Sequence, residues 1–574
     1  MNLNKVYRLQ MRNYSKYNYY NHLLKIINIS ANEKKTIEKS NFSFNNIYSL
    51  LEKNNQLIYI FFFIFYHFTK FYNLEEEKKY RKLFEHNIDY CINNVPKKIF
   101  EQIDIKYLKF IFKQNFYLAY TNLNNKRLLE KINILFSKNT KIFTDLSNYK
   151  HTFLKKKKIK IGFVCNHIFN LNTPISRDRS KIILNLDRNI YDIHLITNLS
   201  KNMYSLSLFN KYPKIICSEK DCVNVLLSQN FDILFYPEIG MDIFTFICGS
   251  HRLAPIQIST WGHSETTGMK SMDYYISSKY FNNEKDQKYF SEKLVLLNSL
   301  GTYYTPMKNI IDVDKQKIYK LFKIDPNKNI YNSLQTPLKI CSYEFLNIVK
   351  KILSNDPNGI FITMYFTTIE KNFIINNLDS YKNQVRLFSY QSRANYQKLL
   401  TISSILLDPF PFGSLNTSLD AFIFGKIVLT MPSNKINGNF CAGFYKKMEI
   451  LEPIANSPEE YINKALKFVN DNDFRKKIEN KIKERCNVLF YEKESIAEYN
   501  ILLRNIYEKH SGFKLENNNM QKIVTDKPIL YKVYITKDKN KVYVDHYNIV
   551  WLLENNVLIS DGMLFGNTIY NSSI

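Results

Sequence analysis

Residues 406–422 contain polar side chains whose types and spacing could bind an anionic group. The segment reads as a strand, a loop rich in Pro and Phe, and the start of a short helix. Asn416, Thr417 and Ser418 are residue types that favour a helix N-terminus, where free N–H groups and the positive end of the helix dipole attract anions. A diphosphate would fit there, and Asp420 could accept hydrogen bonds from ribose hydroxyls. An ordinary helix cap would have the same composition, so the segment alone leaves both interpretations open.

A second group of residues could act as a general acid or base, because each lies at or near the carboxyl end of a predicted strand. Trp261-Gly262-His263 turns sharply, which makes His263 a candidate for a sugar or acceptor contact. For every member of the group, a structural hydrogen bond is an equally good explanation. The members are His167, Asp178, Glu238, Asp242 and His263.

These residues can form a site only if the strands that carry them end at a common edge of a sheet. The sequence predicts two such sheets. Short apolar strands alternate with helices from about residue 157, and the pattern restarts near residue 315, which indicates two open parallel α/β sheets. Ligands of such sheets bind outside the carboxyl ends of the strands. We therefore predict an α/β protein of GT-B type, with two facing Rossmann-like domains at residues 157–315 and 316–512.

The two ends of the chain have different patterns. Residues 1–156 contain no glycine and have apolar residues at helical spacing, which predicts an α-helical region. Residues 513–574 are β-rich and predict a small extension. The apolar run at residues 57–65 is about half the length that spans a bilayer, so we expect a buried helix and no transmembrane segment. The chain begins without a secretory signal pattern, and we expect a cytoplasmic protein.

The formal net charge of +28 raises the possibility of nucleic-acid binding. The excess lysine is spread along the chain among Asn, Tyr and Ile, and no folded basic module with interleaved aromatic residues is recognisable. We therefore expect no specific nucleic acid as a partner. The eight cysteines show neither CxxC nor metal-ligand spacing and are expected to be buried and reduced.

Several further segments occur in the order found in the O-linked N-acetylglucosamine transferase (SPINDLY-type) glycosyltransferase family, which the chain resembles from about residue 157 to 510. Residues 406–422 resemble its G-G-G-N-T-S-L-E stretch, and PFPFG at residues 409–413 is similar to the related bacterial N-glycosyltransferases. The other matching segments are residues 236–242, 252–257, 261–268, 272–274, 335–339 and 392–400.

The resemblance implies a UDP-sugar donor site in the second domain. There Lys339 would reach the diphosphate and stabilise the departing UDP. Tyr390, Gln391 and Ser392 match the segment that contacts uracil, and Asp420 would bind the ribose. The remaining residues with implied substrate contacts are Gln335, Thr336, Asn416, Thr417 and Ser418 on the diphosphate and Gly262, Thr266 and Thr267 on the acceptor side.

The catalytic base is where the chain departs from the family pattern. The family has a histidine in an H-T-V-G-like segment after the first strand, and the matching place here holds Leu171 or Asn172. His167 lies several residues earlier and resembles a different family position. The candidates therefore remain His167, Glu238 and His263.

The resemblance implies inverting transfer of glucose or GlcNAc from a UDP-sugar to a protein or glycan acceptor. Since no carboxylate pair has a metal-binding setting, we expect no metal and no other cofactor. Three alternatives stay open. They are a UDP-sugar epimerase of the same fold, a catalytically inactive sugar-nucleotide-binding or adaptor protein, and a basic nucleic-acid binder.

Overall fold

The protein is described by a computed structural model. It covers residues 32, 44–53, 57, 60–61, 74–105, 108–109, 112, 115–154, 156–169, 173–199, 209, 212–306, 314–515 and the strands between 530 and 570. The chain divides into two compact units, residues 1–511 and 512–574.

The described part of the N-terminal region is helical, as the sequence predicts. Three glutamates in the first turn of α2 favour its start, because they face the positive end of the helix dipole. One face of α4 buries Leu128, Ile132 and Leu135 in a core shared with the first sheet. The helices are α1 (Phe44–Lys53), α2 (Leu74–Asn94), α3 (Lys97–Phe100) and α4 (Lys126–Ser137), with a 3₁₀ helix at Phe116–Tyr120 before α4.

The first Rossmann-like domain contains a parallel sheet with strand order β3-β2-β1-β4-β5-β6-β7. Its central strands are almost wholly apolar because helices cover both faces of the sheet. The order reverses between β1 and β4, which pair side by side. The elements are β1 (Ile159–Val164), α5 (Pro174–Leu184), β2 (Tyr191–Thr197), β3 (Lys214–Ile216), α6 (Cys222–Ser228), β4 (Ile233–Tyr236), α7 (Ile243–Ser250), β5 (Ile256–Thr260), β6 (Tyr274–Ser278) and β7 (Lys293–Leu297).

The second domain repeats this topology with strand order β10-β9-β8-β11-β12, again parallel. Its order reverses between β8 and β11, so the crevice at their carboxyl ends is where a ligand is expected. The elements are α8 (Lys315–Phe322), β8 (Asn329–Ser333), α9 (Pro337–Ile340), α10 (Tyr343–Asn355), β9 (Gly359–Met364), α11 (Thr368–Asn377), β10 (Val385–Phe388), α12 (Arg393–Ile402), β11 (Ile405–Leu407), α13 (Asn416–Ile423) and β12 (Val428–Leu429).

The helices after β12 connect the second domain back to the first. Arg179 donates to the Tyr499 hydroxyl at 2.9 Å, and the Tyr191 hydroxyl donates to the carbonyl of Asn500 at 2.6 Å. The last helix of residues 316–512 therefore packs on the first sheet. These helices are α14 (Phe440–Met448), α15 (Pro458–Asn470), α16 (Asn472–Arg485) and α17 (Lys493–Ser511).

The second compact unit is an antiparallel sheet, which agrees with the predicted β-rich extension. Its strands follow one another in sequence order. They are β13 (Leu530–Ile535), β14 (Lys541–Asp545), β15 (Ile549–Glu554), β16 (Val557–Phe565) and β17 (Thr568–Tyr570).

Two predictions about the environment of the chain can be compared with the structure. Within the described residues no helix is long and apolar enough to cross a membrane. Of the apolar run at residues 57–65, Leu57, Ile60 and Phe61 are described and are buried, and the rest lies outside the described residues. Each of the eight cysteines is buried and unpaired, as predicted.

Candidate active site

The loop that follows β11 is built around the buried carboxylate of Asp408. This carboxylate accepts hydrogen bonds from the Ser414 backbone N–H at 2.6 Å and the Thr430 hydroxyl at 2.7 Å. Burial raises the pKa of Asp408 to about 6, although these hydrogen bonds and Lys339 act in the opposite direction. A Cβ at Gly413 would lie 2.9 Å from Asp408 Oδ2, so glycine permits the loop to pass this close. Asp408 therefore fixes the path of the chain into α13.

The start of α13 differs from the prediction in one respect. Asn416, Thr417 and Ser418 form its first turn and are not its cap, because Leu415 occupies the N-cap position and supplies no side-chain cap. Gln335 Nε2 donates to Thr417 Oγ1 at 2.6 Å, which brings two predicted phosphate-binding segments together. The Ser418 hydroxyl is buried and bonded inside the domain. An uncapped first turn leaves its N–H groups available to an anionic ligand.

Lys339 lies beside this helix N-terminus, although it is 74 residues from Gly413 in the chain. Its Nζ donates to the Gly413 carbonyl at 2.6 Å and lies 4.2 Å from the centroid of the Phe412 ring. Burial lowers the pKa of Lys339 to about 8, and the Asp408 carboxylate opposes this shift. Thr336, at the N-cap of α9, is exposed. The predicted lysine is thus a partly buried cation in contact with the loop that leads into α13.

The predicted uracil segment lies at the carboxyl end of β10. The Tyr390 side chain is 74% exposed. Ser392 caps α12 by accepting from the Asn395 N–H, and Gln391 Nε2 donates to the Ser389 carbonyl at 3.0 Å. Since the hydroxyl and amide groups have partners within the segment, a ligand would meet mainly the backbone and the Tyr390 ring.

Asp420 has a partner that the sequence did not predict. Its carboxylate accepts from Arg177 Nη2 at 2.9 Å, and Arg177 belongs to α5 of the opposite domain. Burial raises the pKa of Asp420, and Arg177 opposes this shift. Asp420, which was predicted to bind the ribose, therefore forms an ion pair between the two domains.

The carboxyl ends of β1 and β4 bring Glu238, Asp242 and His167 together. The Glu238 carboxylate is buried and accepts from the backbone N–H groups of Asn166 and His167. Asp242 caps α7 by accepting from the Thr245 N–H at 3.0 Å. Burial raises the pKa of both carboxyls, and the neighbouring Asp242 raises that of Glu238 further. Two carboxyls this close favour retaining a proton between them.

The side chains of this cluster are also close enough together to hold a metal ion. Among the described residues, ligand atoms of His167, Glu238 and Asp242 lie within 4.8 Å of one another. The sequence did not predict these residues as a set of metal ligands, because α5, β2, β3 and α6 separate His167 from Glu238 and Asp242 in the chain. The family's histidine position, Leu171 or Asn172, lies outside the described residues.

His263 is placed differently from the expectation. Its ring is buried beneath Gly240, where a Cβ would lie 2.5 Å from Nδ1, and its Nε2 lies 3.2 Å from the Phe116 carbonyl. Burial lowers the pKa of His263. Because the N-terminal 3₁₀ helix covers this ring, the side chain does not face an open cleft as predicted.

The other acceptor-side candidates have partners inside the protein. The hydroxyls of Thr266 and Thr267 both donate to the buried carboxylate of Glu292. A Cβ at Gly262 would lie 2.1 Å from the Pro237 carbonyl, so this glycine permits close packing of two loops. These residues shape the edge of the first sheet, and their side-chain hydrogen bonds are already made.

The N-terminal region contributes aromatic residues to the same area. The 3₁₀ helix Phe116–Tyr120 places the Tyr120 ring 4.9 Å from the ring of Phe412, which also contacts Lys339. In addition, Asn437 Nδ2 donates to the Ala119 carbonyl. The helical region thus contacts both Rossmann-like domains beside the predicted phosphate loop.

Sequence reasoning did not identify Asp408, Arg177 or Tyr120 as site residues. Asp408 could have been found, because a carboxylate directly after a strand within the most informative segment is a candidate by position. Arg177 and Tyr120 lie in segments far from the donor motif, and only the folded chain brings them to it.

Comparisons with known proteins agree with the predicted resemblance. The chain is 25% identical over 277 residues to the UDP-glucose:protein N-beta-glucosyltransferases of Actinobacillus pleuropneumoniae serotype 5b (strain L20) and serotype 7 (strain AP76). Each match covers 46% of this chain and 43% of the relative, so the chain spans less than half the length of the curated relatives it matches. No protein-family model matches the chain.

The fold of the chain matches that of a solved structure over almost the whole length of the solved protein. An O-GlcNAc transferase variant of Thermobaculum terrenum superposes with a TM-score of 0.58 at 15% identity, covering 84% of this chain and 99% of the other. The prediction of two facing Rossmann-like domains is thereby confirmed. The chain therefore has the GT-B fold, and the relatives that it matches in sequence are UDP-glucose:protein N-beta-glucosyltransferases.

Proposed function

We propose that the protein is an inverting glycosyltransferase that moves glucose or GlcNAc from a UDP-sugar to a protein or glycan acceptor. The observation that carries this proposal is the position of Lys339, a partly buried cation bonded to Gly413 next to the uncapped first turn of α13. The names of the sequence relatives support a UDP-sugar donor and a protein acceptor. The free cysteines suit a reducing compartment, and we infer a cytoplasmic location.

The chemistry follows from the charge that develops on the leaving group. When an acceptor displaces the sugar at its anomeric carbon, the departing UDP gains negative charge. Lys339 and the N–H groups of Asn416 and Thr417 are fixed before the reaction starts, so they stabilise this charge without reorganising. Selective stabilisation of the transition state is what raises the rate of the chemical step.

For the general base we choose His167. Glu238 and Asp242 are the less suitable candidates, because one binds two backbone N–H groups and the other caps α7. His167 follows β1 at the edge where the crevice begins, and the Glu238 carboxylate holds its backbone in place. An imidazole there can remove a proton from the acceptor as the glycosidic bond forms.

The proposed function is tested by UDP release. Purified protein is mixed with UDP-glucose or UDP-GlcNAc, with and without a mixture of acceptor peptides and glycans, and the glycosylated product is identified by mass spectrometry. Acceptor-dependent release of UDP together with a matching sugar adduct supports a transferase. Tight binding of UDP with no product from either donor would support the sugar-nucleotide-binding alternative instead.

We expect turnover to survive an excess of EDTA, because Lys339 and a helix N-terminus supply the positive charge that a metal ion would otherwise supply. The same assay is run after EDTA treatment and after adding back Mg²⁺ or Mn²⁺. Loss of turnover that only a divalent ion restores would contradict this expectation and direct attention to the His167, Glu238 and Asp242 cluster.

Replacement of His167 by glutamine should lower kcat by ~100-fold or more, the usual contribution of a positioned base. The affinity for UDP should stay unchanged, because a general base acts on the acceptor and not on the nucleotide. His194→Gln is the matched control, since that histidine lies on β2 and bonds Asp192 at the surface. A His167→Gln enzyme with kcat within a few-fold of wild type would exclude His167 as the base.

A further inference from the structure

The two Rossmann-like domains are joined across the candidate site by a buried ion pair. Arg177 Nη2 lies 2.9 Å from Asp420 Oδ1, and the two side chains are 16% and 8% exposed. The partners are 243 residues apart in the chain. Since α5 follows β1 and α13 follows β11, each begins at the carboxyl edge of its own sheet. The ion pair therefore spans the two edges that face each other.

The site around Asp420 contains more hydrogen-bonding capacity than the chain itself uses. Among the described residues, the Tyr396 hydroxyl and the Asn416 Oδ1 atom are buried and have no hydrogen-bond partner. Both Asp420 and Arg177 influence the Tyr396 hydroxyl electrostatically, so it lies close to the ion pair. Buried polar groups are nearly always satisfied. The surplus indicates a place prepared for a polar ligand.

The positive groups around Asp420 could also bind an anionic ligand, which would replace the Asp420 carboxylate as the partner of Arg177. The first turn of α13 carries no side-chain cap, and Lys339 of α9 donates to Gly413 in the loop that leads into it. Asp420 sits one turn further along the same helix and draws the Arg177 guanidinium to that position. A guanidinium binds phosphate oxygens with the same two-pronged geometry that it uses for a carboxylate.

We propose that Arg177 is a donor-binding residue supplied by the opposite domain, and that its ion pair with Asp420 is replaced when the donor binds. In the occupied site the ribose hydroxyls donate to Asp420, and the Arg177 guanidinium turns to the diphosphate oxygens. The site then holds the diphosphate between Arg177 on one domain and α13 with Lys339 on the other. This inference rests on the proposed UDP-sugar donor and adds a residue that specifies the diphosphate.

The exchange leaves no charge buried without a partner. Arg393 also opposes the burial-driven rise in the pKa of Asp420, so the carboxylate keeps a cationic neighbour after Arg177 moves. Arg177 itself exchanges one anion for another. Binding of the nucleotide is thereby coupled to contact between the domains, because its diphosphate bridges groups from both.

The proposal is tested by calorimetry with three ligands that separate the parts of the nucleotide, namely UDP, uridine and inorganic pyrophosphate. Arg177→Gln should weaken UDP and pyrophosphate by at least ~10-fold, whereas uridine should bind equally well or more tightly because Asp420 becomes free. Asp420→Asn should act in the opposite sense, weakening uridine and tightening pyrophosphate, since the internal competitor for Arg177 loses its charge. Arg188→Gln, an exposed arginine after α5, is the control and should change none of the three.

The outcomes are distinct. Equal weakening of UDP and uridine in Arg177→Gln would mean a structural role and overturn the proposal, as would unchanged affinities in both variants. Tighter binding of all three ligands by Arg177→Gln would mean that Arg177 only competes for Asp420, which also overturns the proposal.

If Arg177→Gln does not fold, Asp420→Asn decides the question through the opposite changes in affinity for uridine and pyrophosphate. If the wild-type protein binds pyrophosphate in an Arg177-dependent way but does not bind UDP, the proposed function is refuted and the anion site remains. If it binds neither pyrophosphate nor UDP, the proposed function and the anion site are both refuted.

Discussion

Lys339→Met should lower kcat for sugar transfer by at least ~10²–10³-fold, the range seen when a fixed electrostatic stabiliser of a transition state is removed. The lysine is partly buried, packs against Phe412 and is bonded to Gly413, so a methionine of similar length fills its place without opening a cavity. The loss should be larger in kcat than in the affinity for the intact UDP-sugar, because the charge on the leaving group grows as the bond breaks.

The pH dependence of kcat/KM and kcat provides a second test of the role of Lys339. Burial lowers the pKa of Lys339 to about 8 in the free protein. The charged form is the active one, so kcat/KM should fall as pH rises above about 8. A bound diphosphate favours the charged lysine and raises its pKa, so kcat should persist to higher pH than kcat/KM. Initial rates at varied donor concentration between pH 6 and 10 separate the two profiles.

Lys426 provides the matched control for this experiment. It is also a partly buried lysine of the second domain whose pKa burial lowers to about 8, and it donates to the Ser403 carbonyl at 2.8 Å. Lys426→Met should cost thermal stability, because it removes a partly buried hydrogen bond, while kcat of the folded fraction stays near the wild-type value. Equal losses of kcat in the two variants would show that a buried positive charge serves folding in both places and would remove Lys339 from the reaction.

The sequence predicts the fold well because the fold depends on local patterns. The strand Ile233–Tyr236 is a continuous apolar run and Ile159–Val164 is apolar except for Lys160, a pattern typical of a sheet covered on both faces. The donor loop is equally local, since Asp408, Gly413 and Asp420 lie within a single strand-loop-helix segment. Motif and geometry therefore coincide in this part of the chain.

The parts of the site that depend on packing between distant segments were not predicted. Arg177 looks like any surface arginine until α5 and α13 face each other. His263 was expected to face the acceptor, but the 3₁₀ helix Phe116–Tyr120 covers it, and no feature of residues 1–156 indicated that contact. A single sequence carries the types of such residues but not the distances between them.

Replacing the first two residues of α13 together, Asn416→Leu with Thr417→Phe, should abolish detectable UDP binding, a loss of at least ~100-fold or about 2.7 kcal/mol. The phenylalanine would occupy the approach to the uncapped N–H groups of the helix. It would also remove the hydroxyl that accepts from Gln335, which would then lack a partner. Calorimetric titration with UDP and with pyrophosphate measures the effect.

The control places the same changes on a helix start that points away from the crevice. Asn472→Leu with Asp473→Phe alters the exposed first two residues of α16. The preceding helix α15 starts at the carboxyl ends of β11 and β12, where Tyr461 donates to the carbonyls of Asp408 and Leu429, so α16 begins at the far end of α15. UDP affinity should be unchanged there, so any loss specific to α13 reflects the site and not the general cost of apolar residues at a helix N-terminus. Normal UDP binding by the α13 variant would instead mean that the diphosphate lies elsewhere. Arg177 and Lys339 could then no longer be assigned to opposite sides of it, because both assignments depend on the diphosphate occupying the first turn of α13.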